Sequence, residues 1–433
     1  MHNSQLLTPS TTLVPLKQGD NSDVPSEAKN TTRGSNFQFS IFNFQLSRVL
    51  VAPLNWGLGH ATRCVPIIRG LLAEGYEVVI AADGYPLKFL RQEFPHLEWI
   101  EFEGLKVRYA DGESQVGAML RQVPSFLRGI WREHKELKRI VEAYDIDVVV
   151  SDNRFGLWCK GVHSVYVTHQ LMVKMPRGLK WMEWAVWRLH RWFIKYYDEC
   201  WVPDVAGEDN LSGDLSHKYP LLKNTRFIGP LSRFSTTPIR WEDVRVDAEA
   251  LGLKERYDVV AVISGPEPHR SNLELEIASM HNSQPTVLSN SEKFIIHNCH
   301  FSPRLKTIGS ALTLNFIAKG SKTFGSQFSI LNFIAKGSKT FGSQFSTLNS
   351  QLSTLIVQGL PADDLRLAEH KDGVDYIPHL PTELLQWYMQ EAREIVCRSG
   401  YSSIMDLYTI GRKAHLIPTP GQTEQIYLAE IHG

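Results

Sequence analysis

The stretch "VLVAPLNWGLGHATRCVPIIRGLLAEG", Val49–Gly75, changes period in its middle. With Arg48 it opens as "RVLVAP" (Arg48–Pro53), a short apolar run of the kind a strand shows when both its faces are buried. It closes as "CVPIIRGLLAEG", a helical run ending on Gly75, a residue that stops helices. Between the two lie Gly57, Gly59, His60 and Arg63. A strand feeding a helix through a glycine hinge is the opening of a βαβ unit. Glycines let backbone N–H groups turn toward an anion, and a helix N-terminus brings roughly half a positive charge to the same place. The same glycines also serve a plain tight turn with no ligand.

The alternation continues along the chain. "EVVIAAD" (Glu77–Asp83), "IDVVVSD" (Ile146–Asp152) and "SVYVTH" (Ser164–His169) read as further strands. The pattern restarts at "DVVAVISGPEPHR" (Asp258–Arg270) and runs through "TLIVQGLP" (Thr354–Pro361) and "EIVCRSGYSSIMDL" (Glu394–Leu407). The expected fold is α/β, with two Rossmann-like parallel-sheet domains. The first spans 48–235 and the second 236–433. They join near the linker-like "GPLSRFSTTP" (Gly229–Pro238). In open α/β sheets ligands lie beyond the carboxyl ends of the strands, so the loops after these strands are the candidate site.

Lys+Arg and Asp+Glu both number 46, which leaves no bulk positive field to gather nucleic acid. The five cysteines (Cys64, Cys159, Cys200, Cys299, Cys397) form no CxxC pair, and a dispersed odd set suits a reducing cytosol. The first residues show no basic start followed by an apolar core, so no signal peptide is expected. No run approaches the ~18 apolar residues of a membrane span.

Two segments do not fit the alternation. "LNFIAKGSKTFGSQFS" occurs at Leu314–Ser329 and again at Leu331–Ser346, and "MHNSQ" opens the chain and recurs at Met280–Gln284. Two copies rich in Ser, Asn, Gln and Gly make a poor core, and a stacked repeat array needs at least three units. Residues 1–47 are therefore expected to be a disordered low-complexity tail. Residues 280–353 are expected to be a repetitive insertion foreign to the fold, with a functional lid as the alternative.

The second half carries a resemblance. "VCRSGYSSIMDL" followed by "IPTPGQTEQIYLA" resembles the C-terminal domain of family 28 glycosyltransferases, and "GLGH" after the first strand is similar to that family's glycine-rich loop ending in His. The resemblance spans about 48–279 and 354–433. It implies a GT-B fold, two Rossmann-like domains facing a cleft, the acceptor bound by the domain over 48–235 and the nucleotide sugar by the domain over 236–433, and transfer of a hexosyl or N-acetylhexosaminyl group from a UDP-sugar to a lipid-linked or saccharide acceptor. It implies Asp406 as the acid gripping the ribose hydroxyls, and Arg398, Ser399, Gly400 and Ser402 in the strand-to-helix loop near the phosphates. Glu424 and Gln425 match the polar pair that reads the sugar, and "YIPHL" (Tyr376–Leu380) falls where the base is held. Ser264, Gly265 and Arg270 would meet the diphosphate, although the prolines of "SGPEP" remove N–H donors. GT-B domains usually continue past the point matched by "EQIYLAEIHG", so the second domain is expected to be C-terminally truncated.

Glycosyl transfer passes through an oxocarbenium-like state and needs a general base near the acceptor hydroxyl. His60 is the type of group for that task, and Asp152 and His169, both ending strands of the acceptor half, are its rivals. Gly57, Gly59 and Arg63 would face the acceptor, Arg63 touching a phosphate or only solvent. No DxD-like pair follows a strand, so neither a metal nor another cofactor is expected, and the diphosphate charge would be met by oriented donors.

"KWMEWAVWRLHRWFIKYY" (Lys180–Tyr197) has helical spacing. At ~100° per residue, Met182, Ala185, Leu189, Phe193 and Tyr196 share a face suited to the core. Lys180, Trp184, Arg188, Arg191 and Lys195 share the opposite one, with Trp181 and Trp187 at its margins. Tryptophan mixed with cations suits a helix lying on anionic lipid, which would put the chain at the inner face of the plasma membrane, in the cytoplasm. An amphipathic helix packed on a neighbouring loop has the same pattern. Two other functions remain open at this point: a UDP-sugar 2-epimerase of the same fold, and an inactive product of an interrupted gene.

Overall fold

The computed structural model describes residues 47–104, 115–175, 177–282, 304–308, 311–315, 352–362 and 366–433. Seven strands, β1 (Arg48–Pro53), β2 (Glu77–Ala82), β3 (Glu98–Glu101), β4 (Val148–Asp152), β5 (His163–Val167), β6 (Glu199–Val202) and β7 (Thr225–Phe227), form the first sheet. Their order is β3-β2-β1-β4-β5-β6-β7, and every pairing is parallel. Alternate residues of the apolar runs serve opposite faces. Val49, Val51, Val148 and Val150 enter one core, while Leu50, Ala52 and Val149 enter the other. Burial on both faces is why these strands read as continuous apolar runs rather than as an alternation with polar residues.

Six strands form the second sheet: β8 (Val259–Val262), β11 (Thr354–Val357), β12 (Glu369–Lys371), β13 (Val374–Ile377), β14 (Glu394–Arg398) and β15 (His415–Ile417). Their order is β12-β13-β11-β8-β14-β15, all parallel except β12, which runs antiparallel to β13. Both sheets therefore reverse direction of growth beside their first strand, at β1/β4 and at β8/β14. Such switch points open a crevice at the carboxyl ends of the strands.

The two halves meet through helices. Tyr401, Ile404 and Met405 of the helix Tyr401–Thr409 join the same apolar cluster as Ala61, Val65 and Ile68 of the helix Leu58–Ala73. The Tyr401 hydroxyl donates to the Pro203 carbonyl at 2.9 Å. The last helix, Thr423–His432, also lies on the first half: the Tyr427 hydroxyl accepts from the Asp214 N–H at 2.7 Å, and His432 Nε2 lies 2.6 Å from the Leu211 carbonyl. The Gly229–Pro238 stretch is tied down rather than free. Ser235 exchanges 2.8 Å hydrogen bonds with the Gln386 amide, and Ser232, Arg233 and Phe234 are buried.

The insertion has narrower bounds than the sequence suggested. The helix His269–Asn282 runs into the recurrent "MHNSQ", and its His281 is buried, with Nδ1 3.0 Å from Thr354 Oγ1. The Ser353 N–H and hydroxyl both donate to Asp258 Oδ2 at 2.9 Å. His281 and Ser353 thus belong to the fold and hold the two ends of the insertion together, so its length costs loop-closure entropy that grows only slowly. Within it, β9 (Arg304–Ile308) and β10 (Ala311–Asn315) pair antiparallel, an element the sequence reading did not foresee. The remaining insertion and the tail up to residue 46 lie outside the described residues.

The tryptophan-rich segment forms the helix Met182–Ile194 as expected, but with a different inner face. Glu183, His190, Phe193 and Ile194 are buried, whereas Leu189 and Tyr196, assigned to the core, are exposed. The reason is that two polar side chains find partners inside. Glu183 accepts from Lys218 Nζ at 2.6 Å and from the Met175 N–H at 3.2 Å, and His190 Nε2 lies 3.1 Å from the Tyr166 hydroxyl. A buried polar group that is hydrogen-bonded costs little, so hydrophobicity alone mis-sets the helix rotation. The outer face consequently carries more apolar surface than the sequence implied, with Trp181 73%, Trp184 53%, Leu189 56% and Trp192 49% exposed.

Candidate active site at the first switch point

The helix after β1 starts at Leu58, with Gly57 as its N-cap at φ 94°, a left-handed value that favours glycine. Helical spacing then puts His60 and Arg63 on one face, i and i+3. Across the switch point β4 delivers Asp152, and β5 leads to His169. The four side chains converge. Arg63 Nε donates to Asp152 Oδ2 at 2.7 Å, and Nη2 donates to Oδ1, making a bidentate pair. Arg63 Nη2 lies 2.8 Å from His60 Nδ1, and Nη1 lies 2.9 Å from His169 Nδ1. Asp152 Oδ1 is 3.3 Å from His60 Nδ1. From the second half, Glu424 Oε1 reaches His169 Nε2 at 2.8 Å, and the His169 ring stacks on Tyr401 with centroids 4.2 Å apart.

Burial decides the electrostatics. Asp152 is 0% and Arg63 2% exposed. Burial pushes the Asp152 carboxyl up, but Arg63 and His60 more than offset it and hold it at about 2. Burial, then the Arg63 charge, lowers the His60 pKa, so that ring is neutral. Burial also pushes the Glu424 carboxyl up, and His169, His60 and Arg63 outweigh it, so Glu424 is an anion. The Glu424 side chain is 28% exposed and that of His60 is 14% exposed. Cys64, the next residue on the helix, is buried with its thiol pushed well up, and plays the part of a core residue.

Three expectations change here. Arg63 was placed against an acceptor phosphate or solvent; it is instead sealed inside, because only there can it neutralise Asp152. Gly59 was read as room for a ligand. The Ser402 hydroxyl fills that room, donating to the Gly59 carbonyl at 2.7 Å, and a Cβ on Gly59 would lie 2.7 Å from Ser402 Oγ. Asp406 was assigned to ribose hydroxyls. It is buried in mid-helix, accepts from Ser232 Oγ at 2.5 Å, and stands 3.9 Å from Arg233 Nε. Its helix has Gly400 as N-cap.

The second switch point gathers the other residues. Ser264 and Gly265 follow β8, Gly265 with φ 113° and its Cβ position 3.8 Å from Thr419 Oγ1. Arg270 was expected to face a diphosphate, but it is held by Glu267 and by Glu274, the latter at 3.3 Å. Arg398 is buried, bonded to the Pro418 carbonyl at 3.3 Å and the His269 carbonyl at 2.5 Å. Ser399 Oγ donates to the Gln425 carbonyl at 2.7 Å, while Gln425 Oε1 accepts from the Thr419 N–H at 2.7 Å and so turns away from Glu424's neighbours. In "YIPHL", His379 is buried edge-on to Phe89, and its pKa is lowered to about 3 by burial and Arg233. Ser232, Arg233 and Tyr401 were not singled out from the sequence. The only signal for Arg63's role was its i, i+3 spacing from His60.

On the outer face, a groove of about 480 Å³ is lined by Trp187, Arg188, Arg191, Trp192, Lys195 and Pro220. Arg188 lies 5.0 Å over the Trp184 ring and Arg191 5.5 Å over Trp187. No helix among the described residues is long and apolar enough to cross a membrane.

The family model of glycosyltransferase family 4 matches residues 59–211, the region carrying His60, Arg63, Asp152 and His169. No curated protein matches the chain. Among solved structures, MurG of Acinetobacter baumannii is 10% identical, with 90% of this chain and 83% of that one covered and a TM-score of 0.41. UGT89C1 of Arabidopsis thaliana, complexed with quercetin, is 12% identical over 89% and 82%, with a TM-score of 0.44. A UDP-N-acetylglucosamine 2-epimerase of Listeria monocytogenes is 10% identical over 89% and 82%, with a TM-score of 0.40. The first half of the chain thus carries a glycosyltransferase family match, on the first of two α/β halves built on largely parallel sheets.

Proposed function

We propose that this chain transfers a hexosyl or N-acetylhexosaminyl group from a UDP-sugar to a lipid-linked acceptor, as family 28 enzymes do. The observation that carries the reading is the meeting of His60, Arg63, Asp152 and His169 at the first switch point with Glu424 of the other half. Such a junction brings proton-handling groups of the first half against a carboxylate of the second. The departing diphosphate would lie at the second switch point, near Ser264, Gly265, Arg398, Ser399 and Gly400. The exposed tryptophans and the cations Lys180, Arg188, Arg191 and Lys195 would seat the chain on the inner, anionic leaflet beside its acceptor.

Thermal unfolding in the presence of nucleotides tests the donor class. A ligand at ~100 times its Kd stabilises the folded chain by about 2.7 kcal/mol. UDP is expected to raise the Tm, with ADP and GDP far weaker, and UDP release from a UDP-sugar is expected only when an acceptor is supplied. Equal shifts with all nucleotides, or none, would refute the donor; acceptor-independent UDP release would favour an epimerase.

A further inference from the structure

An arginine guanidinium has donors and no acceptor, so a nitrogen in hydrogen-bond contact with it must offer a lone pair. Arg63 makes that contact twice, with His60 Nδ1 at 2.8 Å and His169 Nδ1 at 2.9 Å. Neither Nδ1 can carry a proton. His60 Nδ1 also lies 3.3 Å from Asp152 Oδ1, but a proton placed there would point at the Arg63 N–H, and Asp152 is already satisfied by Arg63. A neutral ring then holds its proton on Nε2. His169 obeys the same rule independently, because its Nε2 faces the Glu424 carboxylate at 2.8 Å and must donate to it. The tautomers follow from the partners of each nitrogen.

We infer that Arg63 is a positioning residue that locks His60 as the Nε2–H tautomer, so that His60 donates to the acceptor's oxygen and Glu424 takes the acceptor's proton. The inference deepens the transferase reading and rests on it. A general base needs a free lone pair toward the substrate, and the free lone pair of His60 is turned inward against Arg63. The charged and titratable groups facing His60 are Arg63 on its own helix, Asp152 after β4, His169 after β5 and Glu424 from the last helix. Among these Glu424 is the anion with room to act. His169 holds its Oε1, and its other oxygen has no hydrogen-bond partner among the described residues. In the step, the acceptor O–H bond breaks and its proton goes to Glu424. The oxygen's electron pair forms the bond to the anomeric carbon. The bond from that carbon to the diphosphate breaks, and its electron pair leaves on the nucleoside diphosphate. Glu424 then releases its proton to water.

Two measurements on the full chain test this. Nitrogen-15 NMR of labelled histidines, without substrate at pH 7.5, is expected to show both His60 and His169 protonated on Nε2. In Arg63→Lys, which keeps a cation for Asp152 but cannot span both rings, at least one of them is expected to become a tautomer mixture. In turnover, a glutamine amide replaces the Nε2–H donor yet cannot accept a proton. His60→Gln is therefore expected to stay within about tenfold of the parent kcat/KM, while His60→Ala loses about a hundredfold through misplacement. Glu424→Gln is expected to lose on the order of a hundred- to ten-thousandfold and the acid limb of the pH profile, with the UDP-induced Tm shift retained. A proton on His60 Nδ1, or His60→Gln as inactive as His60→Ala, overturns the inference. Absence of UDP binding and turnover in the parent would overturn the transferase reading instead, and the NMR result would still decide the tautomer.

Discussion

Asp152→Asn removes one charge from the centre of the first half and almost no volume. Asp152 is 0% and its partner Arg63 2% exposed, and Arg63 gives Asp152 two of its N–H groups. The substitution strands a guanidinium in the interior. Removing one partner of a buried pair costs about 3–5 kcal/mol, and because the Asn carbonyl still accepts one bond the lower end, ~3 kcal/mol, is expected. Titration gives an independent figure. The folded carboxyl is held at about 2, against ~3.9 in an unfolded chain, a gap on the order of 3 kcal/mol. A depressed carboxyl stabilises above its unfolded pKa, and that stability is lost as pH falls through the folded value. The parent should therefore exceed the variant by ~3 kcal/mol at pH 7, and the difference should shrink between about pH 4 and pH 2. Urea unfolding followed by circular dichroism at pH 7, 4 and 3 reads both effects. Restoring an uncharged interior with Arg63→Met and Asp152→Leu together should recover most of the loss, as uncharged replacements of buried pairs do. A difference under ~1 kcal/mol at pH 7, or one that does not change with pH, would refute the reasoning.

Asp406 should behave in the opposite sense. Burial raises its carboxyl to about 6 against the pull of Arg233 and Ser232, so the folded state keeps a proton that the unfolded state has released. That costs ~3 kcal/mol of stability as pH rises from about 4 through 6, and Asp406→Asn should be more stable than the parent at pH 8 and equal to it at pH 4. Guanidinium melts in which the parent gains on the variant over that range would contradict it. On vesicles, the triple substitution K180E/R188E/K195E should lower partitioning at least a hundredfold when anionic lipid is present, at roughly 1 kcal/mol per cation, with little change on neutral vesicles. A parent chain that sediments with neither vesicle type would remove the membrane face from the picture.

The sheets were legible because their strands are buried on two sides. "RVLVAP" and "IDVVVSD" can hardly be anything but central parallel strands, and the strand-then-helix alternation gives the rest of the topology. His60, Asp152 and His169 were legible for the same reason, since strand ends at a switch point are where chemistry gathers. Arg63 was not. A cation one turn into a helix reads as solvated until its partner, 89 residues on, is known to be dry. The rotation of the helix Met182–Ile194 was hidden likewise, because Glu183 and His190 look like surface residues until Lys218 and Tyr166 are seen beside them. Asp406 shows the limit of motif transfer: its position in the motif is kept, yet its oxygens serve the segment that links the halves. Arg63, Glu183, His190 and Asp406 are polar side chains whose partners lie far off in the chain, and no local pattern reports such a partner; Arg270 differs, since Glu267 and Glu274 lie within one turn of it.

The charges also divide the labour of the proposed reaction between the halves. At the first switch point the Asp152 carboxylate and the Arg63 guanidinium cancel, His60 is neutral, and the Glu424 carboxylate remains. A diphosphate would be repelled there, whereas the positive charge that develops on a sugar as its leaving group departs would be stabilised. At the second switch point Arg270 and Arg398 stand against Glu267 and Glu274, so those charges cancel, but one buried donor is left over. Among the described residues the buried Arg398 Nε–H has no hydrogen-bond partner, and neither has the buried Thr419 Oγ1. Burial lowers Arg398 to about 10, still charged at neutral pH. An unsatisfied buried donor costs free energy that an anion arriving beside it would recover. Under the proposed reaction, phosphates laid against the second sheet would satisfy the Arg398 donor, whereas at the first switch point they would meet the Glu424 carboxylate.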